Sequence, residues 1–210
     1  MAIPKISPAL TPVEAAEPPQ EVQPPASVRR VSVQEFLDMH ERGVFTADDR
    51  LELLDGWIVE KMTKKPPHIR SSGLLIRLLL PLLPDGWTVH SESPVVLSSS
   101  IPEPDFSILR GSLADYANRL PTAADVALVI EISDATLAND RTTKRRLYAA
   151  SGIPVYWLVN LTDRQIEVCT SPDQAHALYR QVTIFTPDAT LPLVLDGHEV
   201  AQLRAADILP

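Results

Sequence analysis

The run from Asp125 to Ser133 (DVALVIEIS) constrains this chain more than any other stretch. It is almost continuously apolar, rich in branched residues, and lacks the alternation of a strand with one wet face. A strand covered on both faces reads this way. Together with an element order of helix, hairpin, helix, strands, helix and strands, it predicts an α/β (α+β) fold with a mixed central sheet flanked by helices. The same run carries a difficulty. Glu131 lies between Ile130 and Ile132, and a carboxylate buried there costs free energy unless it is paired, protonated or bound to a cation. A Glu131 at the strand end, facing water, would need none of these, and the strand alone leaves both options open.

The neighbouring patterns fill in the layers. Residues 1–28 hold seven prolines among Ala, Glu, Gln and Val with no apolar periodicity, so a disordered or extended tail is expected, followed by one domain over 29–210. Ser32 and Glu35 form a capping-box pattern ahead of Val33, Phe36 and Leu37. Asp55-Gly56 between Leu51–Leu54 and Trp57–Glu60 predicts a hairpin in which Leu54 faces Trp57 and Glu52 faces Val59. Pro67 to Leu83 reads as a helix with Ile69, Gly73, Ile76, Leu79 and Leu80 on one side. Strands are expected over 87–97, 105–109, 155–160, 165–170 and 178–185. Helices are expected over 113–119 and 139–151, with a short closing one over 200–206.

Several function classes fall away. Cys169 is the only cysteine, so there is no disulfide framework and no thiolate pair for zinc. The five histidines show no metal-ligand spacing, and neither a Gly-x-Ser-x-Gly elbow nor a phosphate-binding glycine loop occurs. No run reaches the roughly 18 apolar residues of a membrane span. Without a secretory pattern either, a cytoplasmic protein with no membrane partner is expected. The net charge of −8 excludes a generic nucleic-acid coat, though an acidic enzyme can bind a polyanion where its positive charge is local.

Lys144 gives Glu131 a partner. On a helix starting at Asn139, positions 144, 147, 148 and 151 share a face, so Lys144 points with Leu147 and Tyr148 toward the sheet. An i, i+4 pair with Asp140 is the competing explanation, and it leaves the apolar stripe unexplained. Asp105 follows Pro104 at the start of another strand. Two carboxylates on adjacent strands can hold Mg²⁺ or Mn²⁺, hard ions that need few protein oxygens. Such an ion lowers the pKa of water and stabilises charge on phosphoryl oxygens, and an ammonium alongside orients the water.

The segments Glu52–Glu60 (ELLDGWIVE), Glu103–Leu109 (EPDFSIL), Val129–Ser133 (VIEIS) and Asp140–Asn160 resemble the Uma2 family, formerly a domain of unknown function, in the PD-(D/E)XK nuclease superfamily. The resemblance runs from Ser32 to the C-terminus and is most specific around Tyr156-Trp157. It implies a restriction-endonuclease-like core and hydrolysis of a DNA phosphodiester. Asp105 and Glu131 are implied as metal ligands, Lys144 as the lysine on the following helix, and Glu52 as an assisting carboxylate. The hairpin pattern by itself does not choose between Glu52 and Glu60. Ile132-Ser133 after Glu131 departs from the parent superfamily, whose E-x-K lysine is missing here.

Two basic clusters could hold a phosphate backbone: Lys61, Lys64, Lys65, His68 and Arg70, and Arg141, Arg145 and Arg146. Solvated side chains balancing the acids would look the same, and His68 is read as a surface histidine at a helix start. Readings of other classes stay open. The acidic balance and the missing E-x-K lysine fit a catalytically inactive binding or assembly module of the same fold, and an enzyme acting on RNA or a nucleotide is also compatible. Cutting both strands of a duplex would favour a homodimer.

Overall fold

The computed structural model describes residues 28–46 and 48–210. The proline-rich tail expected over 1–28 therefore lies, apart from Val28, outside the described residues. Chain order is α1 (Val33–Glu41), β1 (Leu51–Leu54), β2 (Trp57–Glu60), α2 (Pro66–Leu79), β3 (Trp87–Ser91), β4 (Phe106–Arg110) and β5 (Val126–Ser133). Then come α3 (Leu137–Asn139), a π-turn (Asp140–Lys144), α4 (Arg145–Ala150), β6 (Val155–Asn160), β7 (Gln165–Asp173), β8 (Leu178–Phe185), β9 (Thr190–Leu195) and β10 (His198–Arg204).

Six strands form the central sheet in the order β3-β4-β5-β6-β7-β8. Only β5 and β6 run parallel, and the helical segment 137–150 makes the crossover between them. Every residue of β5 is buried, as its unbroken apolar run predicts. On one face Ile130, Ile132, Trp157 and Val159 pack beneath Leu75 and Leu79 of α2 and beneath Leu191, Leu193 and Leu203 of the β9–β10 hairpin. On the other, Val129, Tyr156 and Leu158 pack against Leu147, Tyr148 and Ala149 of α4. The fold is thus a mixed sheet with both faces covered, the layering that the β5 run demands.

The capping box at Ser32 and Glu35 is present, and Phe36 of α1 joins Leu53 and Ile101 in a small satellite core. The β1–β2 hairpin turns at Asp55-Gly56 in the expected register, Leu54 opposite Trp57 and Glu52 opposite Val59. Both turn residues have positive φ, +50° and +79°, as a tight hairpin turn requires.

The strand expected over 87–97 ends at Ser91, and the helix expected over 113–119 is a 3₁₀ turn, Leu113–Tyr116; three larger differences follow. The buried stripe of α2 is His68, Ser71, Leu75 and Leu79, whereas Ile69 is exposed, so the helix is rotated by about one residue from the face its larger aliphatics mark. The helix expected over 139–151 is broken by the π-turn, with Arg145 N–H bonded to the Asp140 carbonyl five residues back. That wider turn carries both Asp140 and Lys144 into the interior, at 3% and 6% exposure. Over 200–206 the chain forms strand β10 and a closing 3₁₀ turn, Ala205–Asp207, not a helix. Asp196-Gly197, with positive φ at both residues, makes β9–β10 a second Asp-Gly hairpin, and the alternation Leu191, Leu193, Leu195 buries its face. Cys169 is buried, and burial pushes its thiol up to about 11, the state of a packing residue. Among the described residues no helix is long and apolar enough to cross a membrane.

Candidate active site

The β4–β5 register sets the site. Phe106 lies opposite Ile130 in this antiparallel pair, so one further step places Asp105 opposite Glu131 and on the same face. Asp105 is fixed there by the Ile132 amide, which donates to its Oδ2 at 2.8 Å. Asp105 is 8% exposed and Glu131 4% exposed. Glu52 comes in from the hairpin, 5% exposed, and accepts from the Glu103 amide at 3.2 Å. Glu60, the other acid of that hairpin, is exposed. Tertiary packing thus selects Glu52, a choice that the hairpin pattern could not make.

Lys144 ties these acids together. Its Nζ lies 3.0 Å from Glu131, 3.2 Å from Glu52 and 4.0 Å from Asp140. The Tyr148 hydroxyl, one turn on, donates to the same Glu131 oxygen at 2.7 Å. Three carboxylates surround one ammonium, so the cluster keeps surplus negative charge. Burial is the main cause that pushes the Glu131 carboxyl up to about 8; Lys144 works against it, and Asp140, Asp105 and Glu52 add to it. Burial would strip the Lys144 proton, but Glu131, Glu52 and Asp140 overcome it and hold the ammonium charged well above its ordinary range. Asp140 also accepts from Ser133, the residue that stands where the superfamily's E-x-K lysine is missing.

Asp105 has partners of its own. Lys64 Nζ reaches its Oδ1 at 2.8 Å and Glu92 at 3.0 Å, while His68 Nε2 stands 3.1 Å from Oδ2. Burial would raise the Asp105 carboxyl, but His68 and then Lys64 bring it down to about 2. His68 is therefore not a surface histidine. The signal for it was in the sequence: positions 68, 71, 75 and 79 share one helical face, and Ser71 disguised the stripe. Tyr148 was legible only as an apolar partner of Leu147, and its role as a Glu131 donor appears with the coordinates.

These groups line a cavity of about 430 Å³ that takes in Glu52, Asp105, Glu131 and Lys144 together with Lys61, Lys64 and Lys65. Lys61 is held by Glu103 at 2.8 Å and Lys65 by Asp134 at 3.4 Å. Arg70, Arg141 and Arg145 do not line it. Arg141 instead pairs with Glu167, and Arg70 is exposed. Arg50, absent from either basic cluster of the sequence reading, does line it.

The donor set fits a hard divalent ion, since Asp105, Glu131 and Glu52 offer only oxygens. Among the described residues no three His, Cys, Asp or Glu side chains already form a metal cage. Two carboxylates completed by water are sufficient for Mg²⁺, which keeps much of its hydration.

A family model described as Uma2, "Putative restriction endonuclease", matches residues 33–204. Among solved structures, the chain is similar to one described as the crystal structure of "a putative nuclease belonging to DUF820 from Anabaena variabilis ATCC 29413". The match has a TM-score of 0.64 at 17% identity and covers 85% of this chain and 97% of that one, a likeness of fold. Comparison with curated protein sequences finds no match.

Proposed function

Because the chain belongs to the Uma2 family of restriction-endonuclease-like proteins, we propose that it hydrolyses DNA phosphodiester bonds with the help of Mg²⁺ or Mn²⁺. The observation that carries this reading is the pairing of Asp105 with Glu131 across β4 and β5 in one cavity, with the buried Lys144 held between Glu131 and Glu52. Asp105 and Glu131 are the residues that would hold the ion. When bound there, it would supply Lewis-acid stabilisation of phosphoryl charge and a more acidic water.

The chain's own residues do the rest. Lys144 presents a permanent positive charge toward the phosphate and donates hydrogen bonds that orient the attacking water. Tyr148 and Glu52 keep Lys144 and Glu131 in place, so little reorganisation is needed when charge develops. In the reaction a water oxygen bonds to phosphorus and one ester P–O bond breaks. One water proton goes to the departing alkoxide and the other to solvent. Lys61, Lys64 and Lys65 line the cavity, each paired with an acid, and would hold a phosphate backbone by exchanging that acid for it.

One observation favours a second reading, a non-catalytic module of the same fold. The Asp105 oxygens already accept from Lys64, from His68 and from the Ile132 amide, so a cation must displace some of these to bind. Calorimetric titration of Mn²⁺ into the wild type, Asp105→Asn and Glu131→Gln, beside plasmid cleavage, separates the readings. Binding and cleavage that both substitutions abolish support the nuclease. No binding in the wild type and no cleavage would sink it in favour of the module, and turnover of RNA alone would change the substrate.

A further inference from the structure

Beside the acidic cavity lies a second one of about 330 Å³, and the two share Arg50, Lys61 and Glu103. Most charges around them are already spent. Lys61 pairs with Glu103, Lys64 with Glu92 and Asp105, Lys65 with Asp134, and Lys144 with Glu52 and Glu131. Asp49, which lines the second cavity, accepts from the Thr46 amide at 2.7 Å and from its hydroxyl at 2.9 Å. Of the cations lining the two cavities, Arg50 is the one that makes no ion pair or side-chain hydrogen bond among the described residues. Its backbone is nonetheless anchored, because its carbonyl accepts from the Lys61 amide at 2.7 Å and β1 starts at the next residue. Glu52 follows two residues later, on the same side of an extended chain.

Part of the second cavity's lining is aromatic. The rings of Phe45 and His40 meet edge to face with centroids 5.1 Å apart, and Phe36 backs both at 5.5 and 5.0 Å. Phe36 is buried, whereas Phe45 is half-buried and His40 exposed, so the outer rings keep open surface.

A guanidinium with no ion pair among the described residues and open ring surface in the same cavity match the two parts of a nucleotide. A guanidinium takes phosphate oxygens through paired N–H donors. A ring takes a base by stacking, with little regard to which base it is. We propose that the second cavity is the subsite for the nucleotide next to the scissile phosphate, with Arg50 holding its phosphate and Phe45 and His40 its base. This rests on the nuclease reading of the adjoining cavity. It gives a partner to the one cavity-lining cation that makes no ion pair among the described residues. It also gives the acidic surface an entry point for one strand.

The test is the anisotropy of a labelled single-stranded oligodeoxynucleotide titrated with full-length protein in Ca²⁺ over a range of salt. Arg50→Gln weakens binding and lowers the slope of log K against log salt by about 0.7, the share of one phosphate on a single strand. Phe45→Leu keeps an apolar contact for Phe36 but removes the ring; it costs roughly tenfold in affinity and leaves the salt slope alone. On an abasic oligonucleotide the Phe45→Leu loss disappears. Unchanged affinity and slope in Arg50→Gln, or an equal Phe45→Leu loss on the abasic probe, overturns the subsite. If the wild type still cleaves in Mn²⁺ in that case, the nuclease reading survives alone. If it neither binds the oligonucleotide nor cleaves, both fail together.

Discussion

Replacing Lys144 with methionine keeps the apolar stem of the side chain out to Cε and deletes the charged end, and this substitution tests the centre of the site directly. Between full charges, each contact of Nζ with Glu131, Glu52 and Asp140, at 3.0, 3.2 and 4.0 Å, is worth about 4–5.5 kcal/mol of attraction at an effective dielectric of about 20. The cost of burying the charges offsets most of that sum, so the net effect comes from what is left behind: three buried carboxyl groups and no cation. Removing one partner of a buried charge group typically costs about 3–5 kcal/mol, and that is the loss expected for Lys144→Met near neutral pH. The pH dependence follows from proton counts. A carboxyl raised above its unfolded value, as Glu131 is at about 8, holds a proton in the folded state that the unfolded chain releases. Its contribution to stability is therefore present below the unfolded value and lost as pH rises toward 8. In the wild type Lys144 opposes that rise, and in the variant nothing does. The deficit of Lys144→Met should then be smallest near about pH 5 and largest near about pH 8. Urea unfolding followed by the fluorescence of the fully buried Trp157 measures it. A loss under about 1 kcal/mol at the alkaline end, or a deficit that does not grow with pH, would refute the reasoning.

The remaining expectations are narrower. Lys64→Met frees Asp105 of a tethered cation and should tighten Mn²⁺ binding by on the order of tenfold in calorimetry; weaker binding would show that Lys64 supports the ion and does not compete with it. Asp105→Asn should cost about 2 kcal/mol at neutral pH, because its depressed pKa contributes stability above the ordinary aspartate value that is lost as pH falls through about 2. In acid unfolding the two proteins should therefore converge, and a constant gap would contradict the Lys64 and His68 contacts. Gly56→Ala sets a Cβ 2.6 Å from the Arg30 Cβ at φ +79°, whereas Gly197→Ala at φ +80° meets open space. Gly197→Ala should cost about 1–2 kcal/mol for the backbone alone and Gly56→Ala clearly more, and equal urea midpoints would be inconsistent with that contact. Ser32→Ala removes the cap of α1 and should cost about 1 kcal/mol with cleavage unchanged.

Much of the site was legible because its residues break local rules. Glu131 interrupts an apolar strand and Lys144 interrupts an apolar helix face, and each needed the other once both faces of the sheet were known to be covered. The Asp55-Gly56 hairpin and the Ser32 cap were legible because a few neighbouring residues decide them. The same turn chemistry stood at Asp196-Gly197, but a helix was expected just after it. There the alternating leucines of β9 outweighed the local helical tendency by burying their side chains on the sheet. The stripe on α2 was displaced because a polar surface, His68 and Ser71, faces the interior. Ser71 can do so since its hydroxyl donates to the Ile208 carbonyl at 2.9 Å, a partner 137 residues away.

The division has a physical basis. Period, capping and turn chemistry act over a few residues, so the sequence by itself pointed to a sheet covered on both faces, to the strand 125–133 within it, and to Glu131 as a carboxylate that needs a counter-charge if it is buried there. It could not choose between Glu52 and Glu60, find His68 on Asp105, or mark Arg50 as the cavity-lining cation with no ion pair among the described residues. Those outcomes depend on which side chains distant segments bring within about 3 Å of one another, the range at which hydrogen bonds and buried charges are decided. Strand register, a π-turn and the packing of α2 settled them, and only the folded chain contains these.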